Sequence, residues 1–339
     1  MYDVPRISGL STIGELVMFK FNRGFNWRNS EAHLLLLSKF LNGQEIDYFT
    51  KLGNWEQALN EAPQKAIERF VGEGMLEIAD LETIVSYKYK VSELKSLLKQ
   101  RGLAASGTKD ELVKRILQAD ETGMSKLTVG IKLLTCTQTG REIAQQYLDS
   151  EKEKHLQVEK QVIGYIVKRM FKEASLAVAE YEAGQVFARG MGVDWKHYNP
   201  NRDIQILQNI YENKPQILNK LDDSKLDSLR LGAAMMLLWG TNKATKWIPA
   251  DFETGLSMDT DVAARMLLFN AQSIVTLKEF KEMGIEYVEV LGVPDSCESC
   301  KEIAGKIYRL SEVPTLPNPN CTHEMGCRCV YLARVNQEK

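Results

Sequence analysis

The chain has 339 residues, of which 44% are hydrophobic and 26% charged, the balance of an ordinary globular protein with room for two or three domains and a core that needs no covalent staples. Lys and Arg number 43 against 45 Asp and Glu, a net charge of −2, which excludes a uniformly basic protein and confines any nucleic-acid surface to a local patch. The opening MYDVPRISGLST lacks a basic stretch followed by an apolar run, and the most apolar short run, LGAAMMLLWG at 231–240, is too short to span a bilayer, so the expectation is a protein neither secreted nor membrane-bound.

Residues 1–87 read as mostly helical. SEAHLLLLSKFL (30–41) starts on Ser30, a candidate cap, and APQKAIERFVGEGML (62–76) places Ala66, Ile67, Phe70 and Val71 at helical spacing before a glycine break. Trp27, Trp55 and Phe70 are expected in the core. Residues 88–120 form a distinct unit. Leu94, Leu97 and Leu98 line a first short helix, and Leu112, Val113, Ile116 and Leu117 line a second. Gly102 suits the position just past a helix end, Gly107 suits a tight turn, and Thr108 with Glu111 fits a capping box. Eight cations stand against four acids in this stretch, +4 on a chain that is acidic overall.

These residues carry a resemblance. Glu93-Leu94-Lys95, Leu98, Gly102-Leu103, Ser106-Gly107-Thr108-Lys109, Glu111-Leu112 and Arg115-Ile116 resemble the SAP motif, a helix–extended–helix module that usually binds DNA. The resemblance implies DNA as a partner, with Lys95, Lys99, Arg101, Lys109, Lys114 and Arg115 as candidate contacts. Lysines on such a hairpin suit phosphate contacts, which are salt-sensitive and carry little sequence information. The plainer alternative is a solvated helical pair that packs against its neighbours or binds protein.

Residues 125–155 begin like a strand and pass through Gly140 into a polar helix; Cys136 is expected as a buried thiol. Residues 151–190 read as one long helix or two, with Val158, Val162, Ile166, Met170 and Phe171 on one side. A turn-rich break at 193–203 precedes helices over 203–213 and 223–240. A loop with Pro249 and Gly255 leads to a helix at 259–284, with acids in its first turn and Gly284 at its end. From Ile285 the period changes and predicts a short strand.

Five of the six cysteines follow within 297–329. Cys297 and Cys300 form a C-x-x-C pair, whose two thiolates can reach one ion from one turn. Cys321, His323, Cys327 and Cys329 complete six candidates for about four zinc-ligand positions. The C-R-C alternation leads to the expectation that only one of Cys327 and Cys329 faces the ion. An all-cysteine set that leaves His323 on the surface stays open. Twenty residues separate Cys300 from Cys321, with a hairpin expected at GKIYRL (305–310). No HExxH frame or deaminase-type frame surrounds the cluster, so Zn²⁺ is expected to be structural and the protein not an enzyme.

Beginning near residue 259, the order Ala263-Ala264-Arg265, Gly284, Asp295, Cys297, Cys300, Gly305-Lys306-Ile307-Tyr308, Pro314, Pro317 and Cys327-Arg328-Cys329 resembles the C-terminal region of phage head-morphogenesis proteins, the Mu F-like minor head proteins. Here His323 stands one residue further from C-R-C than that family's histidine, and Cys321 is extra. The resemblance implies a phage or prophage minor head protein, assembly-bound or oligomeric, with portal or capsid proteins as partners, located in the host cytoplasm or the virion. Two other classes remain: a DNA-acting effector such as a metal-dependent nuclease, and a cellular DNA-binding adaptor. The expected architecture is mainly α: an N-terminal helical region (1–87), the SAP helix-turn-helix module (88–120), a second helical region (121–284) and a small zinc-bound β/loop module (285–339).

Overall fold

The computed structural model describes residues 25–51 and 53–334. Residues 1–24 of the expected N-terminal helical region and 335–339 of the C-terminal module lie outside the described residues. The fold is mainly helical with two small antiparallel sheets. The chain divides into two compact units, 1–154 and 155–339.

The first unit opens on helix α1 (Glu31–Ser38). Ser30 stands at its N-cap, as expected, but makes no side-chain capping bond; its hydroxyl instead pairs with His33 Nδ1 at 2.8 Å. His33 Nε2 reaches Glu61 at 2.8 Å, and Arg69 takes both oxygens of Glu61, so the buried imidazole is fully partnered. Strand β1 (Gln44–Glu45) and short helices α2 (Ile46–Thr50) and α3 (Asn54–Leu59) lead to α4 (Pro63–Gly72). Trp27, Trp55 and Phe70 are buried as expected, whereas Val71 faces solvent. It sits one residue beyond the buried Ala66, Ile67 and Phe70, where a helix has turned about 100° onward. Strand β2 (Leu76–Ile78) and helix α5 (Leu81–Lys88) follow.

Helices α6 (Val91–Gln100) and α7 (Lys109–Leu127) form the hairpin. Strand β3 (Leu133–Cys136) then lies between β1 and β2, antiparallel to both. Cys136 is buried there, and burial pushes its thiol up to about 11, so it is a neutral packing residue. Helix α8 (Gln138–Val167) runs from the first unit into the second.

In the second unit, α8 ends before Arg169, which takes a left-handed conformation (φ 60°). The predicted 151–190 helix is therefore two. The Arg169 guanidinium lies 3.3 Å from the centre of the Tyr211 ring, which stacks on Phe171. Helix α9 (Phe171–Ala183), α10 (Asn201–Glu212), α11 (Asp223–Trp239) and α12 (Thr260–Glu282) pack together around one apolar core. Asp222 and Asp259 cap α11 and α12 through their side chains, and Gly240 ends α11 in the left-handed conformation.

Strand β4 (Tyr287–Leu291) is the centre of the second sheet, in order β5–β4–β6, with β5 (Ile307–Arg309) and β6 (Val330–Arg334) antiparallel to it. Val288 and Val290 are buried. Between them Glu289, also buried, accepts a hydrogen bond from Arg334. A single turn of helix, α13 (Glu298–Lys301), carries the C-x-x-C pair. No helix among the described residues is long and apolar enough to cross a membrane.

Candidate nucleic-acid interface and metal centre

The hairpin is organised by local chemistry. Leu94, Leu98, Leu112, Val113 and Ile116 are buried together, joined by Val85 from α5 and Met124 from the far end of α7. The chain leaves α6 through Gly102 (φ 70°). The Thr108 hydroxyl accepts the Glu111 N–H, and the Glu111 carboxylate accepts the Thr108 N–H at 2.8 Å. Gly107 sits at φ 121°, and a Cβ there would meet Glu111 Oε2 at 2.4 Å, so glycine is the residue that this turn admits.

Helix α7 kinks at Asp120 (φ −153°, ψ 60°). Asp120 accepts the Gly123 N–H and starts a fresh helical segment. It also holds Arg101 through Nε at 2.9 Å and Nη2 at 2.7 Å. The Arg101 hydrogen bond lowers the Asp120 carboxyl below its ordinary range, helped by the Gly123 N–H. Arg115 donates to the carbonyls of Ala104 and Ser106, at 2.6 and 2.9 Å. The structure thus gives both arginine candidates intramolecular work: Arg101 ties the end of α6 to the kink, and Arg115 clasps the connecting loop. Lys95, Lys99 and Lys114 are exposed and Lys109 is half-buried at the start of α7. Among the described residues, none of these four lysine side chains has a hydrogen-bond or ion-pair partner.

The second site is built from three chain segments. The first is the α13 turn with Cys297 and Cys300. The second is the loop through Pro314 and Pro319, with a cis Leu316–Pro317 peptide, leading to Cys321. The third is the C-R-C run before β6. Two groups of three sulfurs result, Cys297–Cys300–Cys321 and Cys300–Cys327–Cys329, each with all its sulfurs within 4.8 Å of one another. Cys297 and Cys321 are 3.7 Å apart, and Cys300 and Cys327 3.9 Å. Such spacings are far too long for a disulfide. A sulfur-only cluster of this kind can hold a soft or borderline metal ion.

Cys327 and Cys329 both turn toward the cluster, so the C-R-C alternation does not by itself select which of them would face an ion. Residues two apart on an extended segment share a face, and Arg328 between them turns away to Asp295 at 2.8 Å. His323 belongs to neither group. Its Nδ1 accepts the Met325 N–H at 3.0 Å, and its Nε2 faces Arg328 at 3.0 Å and Asp295 at 3.6 Å.

Asn318, which the sequence did not single out, is the organiser of the loop. It is buried, its backbone N–H points to Cys327 Sγ at 3.3 Å, and its amide donates to the Ser299 carbonyl at 2.8 Å and faces Cys300 Sγ at 3.7 Å. An asparagine between Pro317 and Pro319 was the only signal. The floor is α12. Met266 Sδ accepts the Cys327 N–H at 3.3 Å, Arg265 donates to the Met325 carbonyl, and a Cβ on Gly326 would meet Met266 and Val262 within 3 Å.

Burial opposes ionisation of Cys297, yet the Ser299 hydroxyl and the Thr322 and Cys300 N–H groups bring its thiol down to about 5. Cys327 is lowered to about 6 by the Cys329 side chain, against burial and with help from the Asn318 N–H. Burial raises Cys321 to about 11, and Cys300 and Cys329 are also raised, Cys300 by burial and the Cys327 charge, Cys329 by its hydrogen bond to Cys327 and by burial.

Comparison with known proteins finds that residues 88–121 match the SAP domain. The match ends one residue past the Asp120 kink, where the hairpin gives way to a new helical segment. A SAP domain points to nucleic-acid binding, of DNA or RNA. No curated protein and no solved structure matches the chain.

Proposed function

We propose that this is a non-enzymatic, DNA-binding assembly protein, a phage or prophage minor head protein whose SAP hairpin contacts duplex DNA and whose C-terminal module is held by structural Zn²⁺. The observation that carries the DNA-binding part is a SAP domain bearing four lysines, Lys95, Lys99, Lys109 and Lys114, whose side chains have no partner among the described residues. Lysines left unpaired in this way are free to neutralise phosphates. Arg101 and Arg115 act as braces that fix the surface on which the lysines stand.

A metal held by four protein thiolates leaves no open position for water or substrate, so it contributes folding energy and not chemistry. The head-protein assignment rests on the ordered run from Ala263 to Cys329, and portal or capsid proteins are the partners that it implies. A protein at the point of genome entry has use for a salt-sensitive, sequence-tolerant DNA contact.

Anisotropy titrations on duplex DNA test the DNA-binding part. Changing Lys95, Lys99, Lys109 and Lys114 together to Glu should weaken binding at least about 100-fold, and flatten the slope of log K against log salt by about three to four. Unchanged affinity removes this part. Preferential binding of RNA would redirect it. Genes for a portal and a terminase beside this one are expected; their absence argues for a cellular adaptor.

A further inference from the structure

Five thiols converge where one tetrahedral ion takes four, and the geometry distinguishes them. In a tetrahedron of sulfurs at about 2.3 Å from zinc, each edge is about 3.8 Å. Two pairs already stand at that spacing, Cys297–Cys321 at 3.7 Å and Cys300–Cys327 at 3.9 Å. The two pairs would form opposite edges of a tetrahedron, and Cys300 is the sulfur common to both groups of three; the four do not all lie within 4.8 Å of one another, so closing on an ion draws Cys327 toward the Cys297–Cys321 pair.

The hydrogen bonds fall on the same four. Metal-bound thiolates are held in place by donors from outside the coordination sphere, as metal ligands generally are. Cys297 has the Ser299 hydroxyl and the Thr322 N–H, Cys321 has the His323 N–H, Cys327 has the Asn318 N–H, and Cys300 has the Asn318 amide. Asn318 thereby bridges the two members of one edge. Cys329 differs: it is buried, its sulfur lies within 4.8 Å of Cys300 and Cys327, and it enters as a hydrogen-bond partner of Cys327. His323 is engaged with Met325, Arg328 and Asp295.

Resting on the metal-site reading above, we infer that the chain binds a single ion through Cys297, Cys300, Cys321 and Cys327, while Cys329 is a positioning thiol that braces Cys327 from outside the coordination sphere and His323 does not ligate. Cys321 is then an obligatory ligand and not a spare. The histidine that the sequence offers as a ligand instead fastens the loop that carries Cys327 to Asp295 and Arg328.

Cobalt substitution of the full-length protein tests this. The wild type should take up one Co²⁺ per chain, with the absorption of a tetrahedral four-thiolate site. H323A and C329S should keep that spectrum and stoichiometry, C329S with about 10-fold weaker affinity, the size of effect usual for loss of an outer-shell partner. C321S should lose the four-thiolate spectrum. A wild-type spectrum of three sulfurs and one nitrogen, two ions per chain, or a C329S protein that drops to three thiolates overturns the assignment while leaving metal binding intact. A wild type that takes up no ion overturns both the metal reading and the assignment. The wild-type spectrum alone decides whether His323 ligates, so that part of the test survives a variant that does not fold, and the C329S and C321S spectra decide between the two cysteines.

Discussion

The SAP hairpin and the cysteine module are two small constructions held together by opposite means. Every residue of the hairpin's apolar cluster lies between Leu81 and Met124. Its contacts are therefore local, and its polar fixings reach from three residues along the chain, in the capping box, to thirty-nine, where Lys88 donates to the Leu127 carbonyl. The cysteine module brings Met266, Cys300, Asn318 and Cys327 together from sixty residues of sequence, and its buried sulfurs belong to the same apolar core as α9 to α12. One region is a unit that its own leucines hold closed. The other is the edge of a larger core, finished by sulfur. Short-range contacts cost little loop entropy, so the hairpin needs no ion; the module closes long loops, where a metal clip contributes most.

The sharpest way to break this comparison is to remove the ion proposed for the thiol cluster. A thiolate-bound structural ion contributes roughly 10 kcal/mol or more to a small module. Chelation should abolish amide protection over 287–334 while leaving α6 and α7 protected. Equal loss in both regions, or in neither, would mean that sulfur is not what separates them. Acid should act in the same direction. Protons compete with the ion for the thiolates, so module stability is present at neutral pH and lost as pH falls. The hairpin's Asp120 is held below the ordinary carboxylate range by Arg101, so its contribution persists until pH falls through that lowered value. Metal release should therefore precede loss of hairpin helicity in an acid titration followed by metal content and circular dichroism.

The converse experiment is Leu98→Ala. Leu98 is fully buried at the centre of the hairpin, and truncation of a buried leucine costs about 2–5 kcal/mol. Hydrogen exchange should show α6 and α7 opening while metal content stays at the wild-type level. A drop in metal affinity would show that the two regions are energetically one.

The same difference decides what was legible in the sequence. Gly102, Gly107, Thr108 and Glu111 announced the hairpin because caps and turns are written in consecutive residues, and all four take the conformations that they predict. The pattern did not show that α7 continues to Leu127 through a kink, because Asp120 becomes a cap only once Arg101 and Gly123 meet it. In the module, the joining of the C-x-x-C pair with Cys321, Cys327 and Cys329 is legible in the sequence, whereas the residues that hold the three segments in place are not. Asn318 and Met266 carry no motif, and the C-R-C alternation places both cysteines on one face without saying which would meet an ion. Glu159 shows the limit most plainly. A buried carboxylate in a polar helix, it accepts Lys246 Nζ and Trp247 Nε1, each at 2.5 Å, partners nearly ninety residues away that no local pattern names.

The smallest effect sharpens the comparison most finely, because it asks how locally the hairpin is fixed. The capping box at the start of α7 has two arms of unequal quality. The Thr108 hydroxyl accepts the Glu111 N–H at 3.4 Å, a long bond, whereas the Glu111 carboxylate accepts the Thr108 N–H at 2.8 Å. Thr108→Ala removes only the long arm and should cost about 0.5–1 kcal/mol, the low side of the usual range for a lost cap. Gly107→Ala should cost more. It forces a side chain into a left-handed position and drives a Cβ onto Glu111 Oε2, displacing the better arm as well. Denaturant melts of the two variants should therefore rank Gly107→Ala below Thr108→Ala, with cobalt uptake unchanged in both. The reverse order would mean that the turn tolerates a side chain and that the box, not the glycine, sets the geometry of the loop that Arg115 clasps.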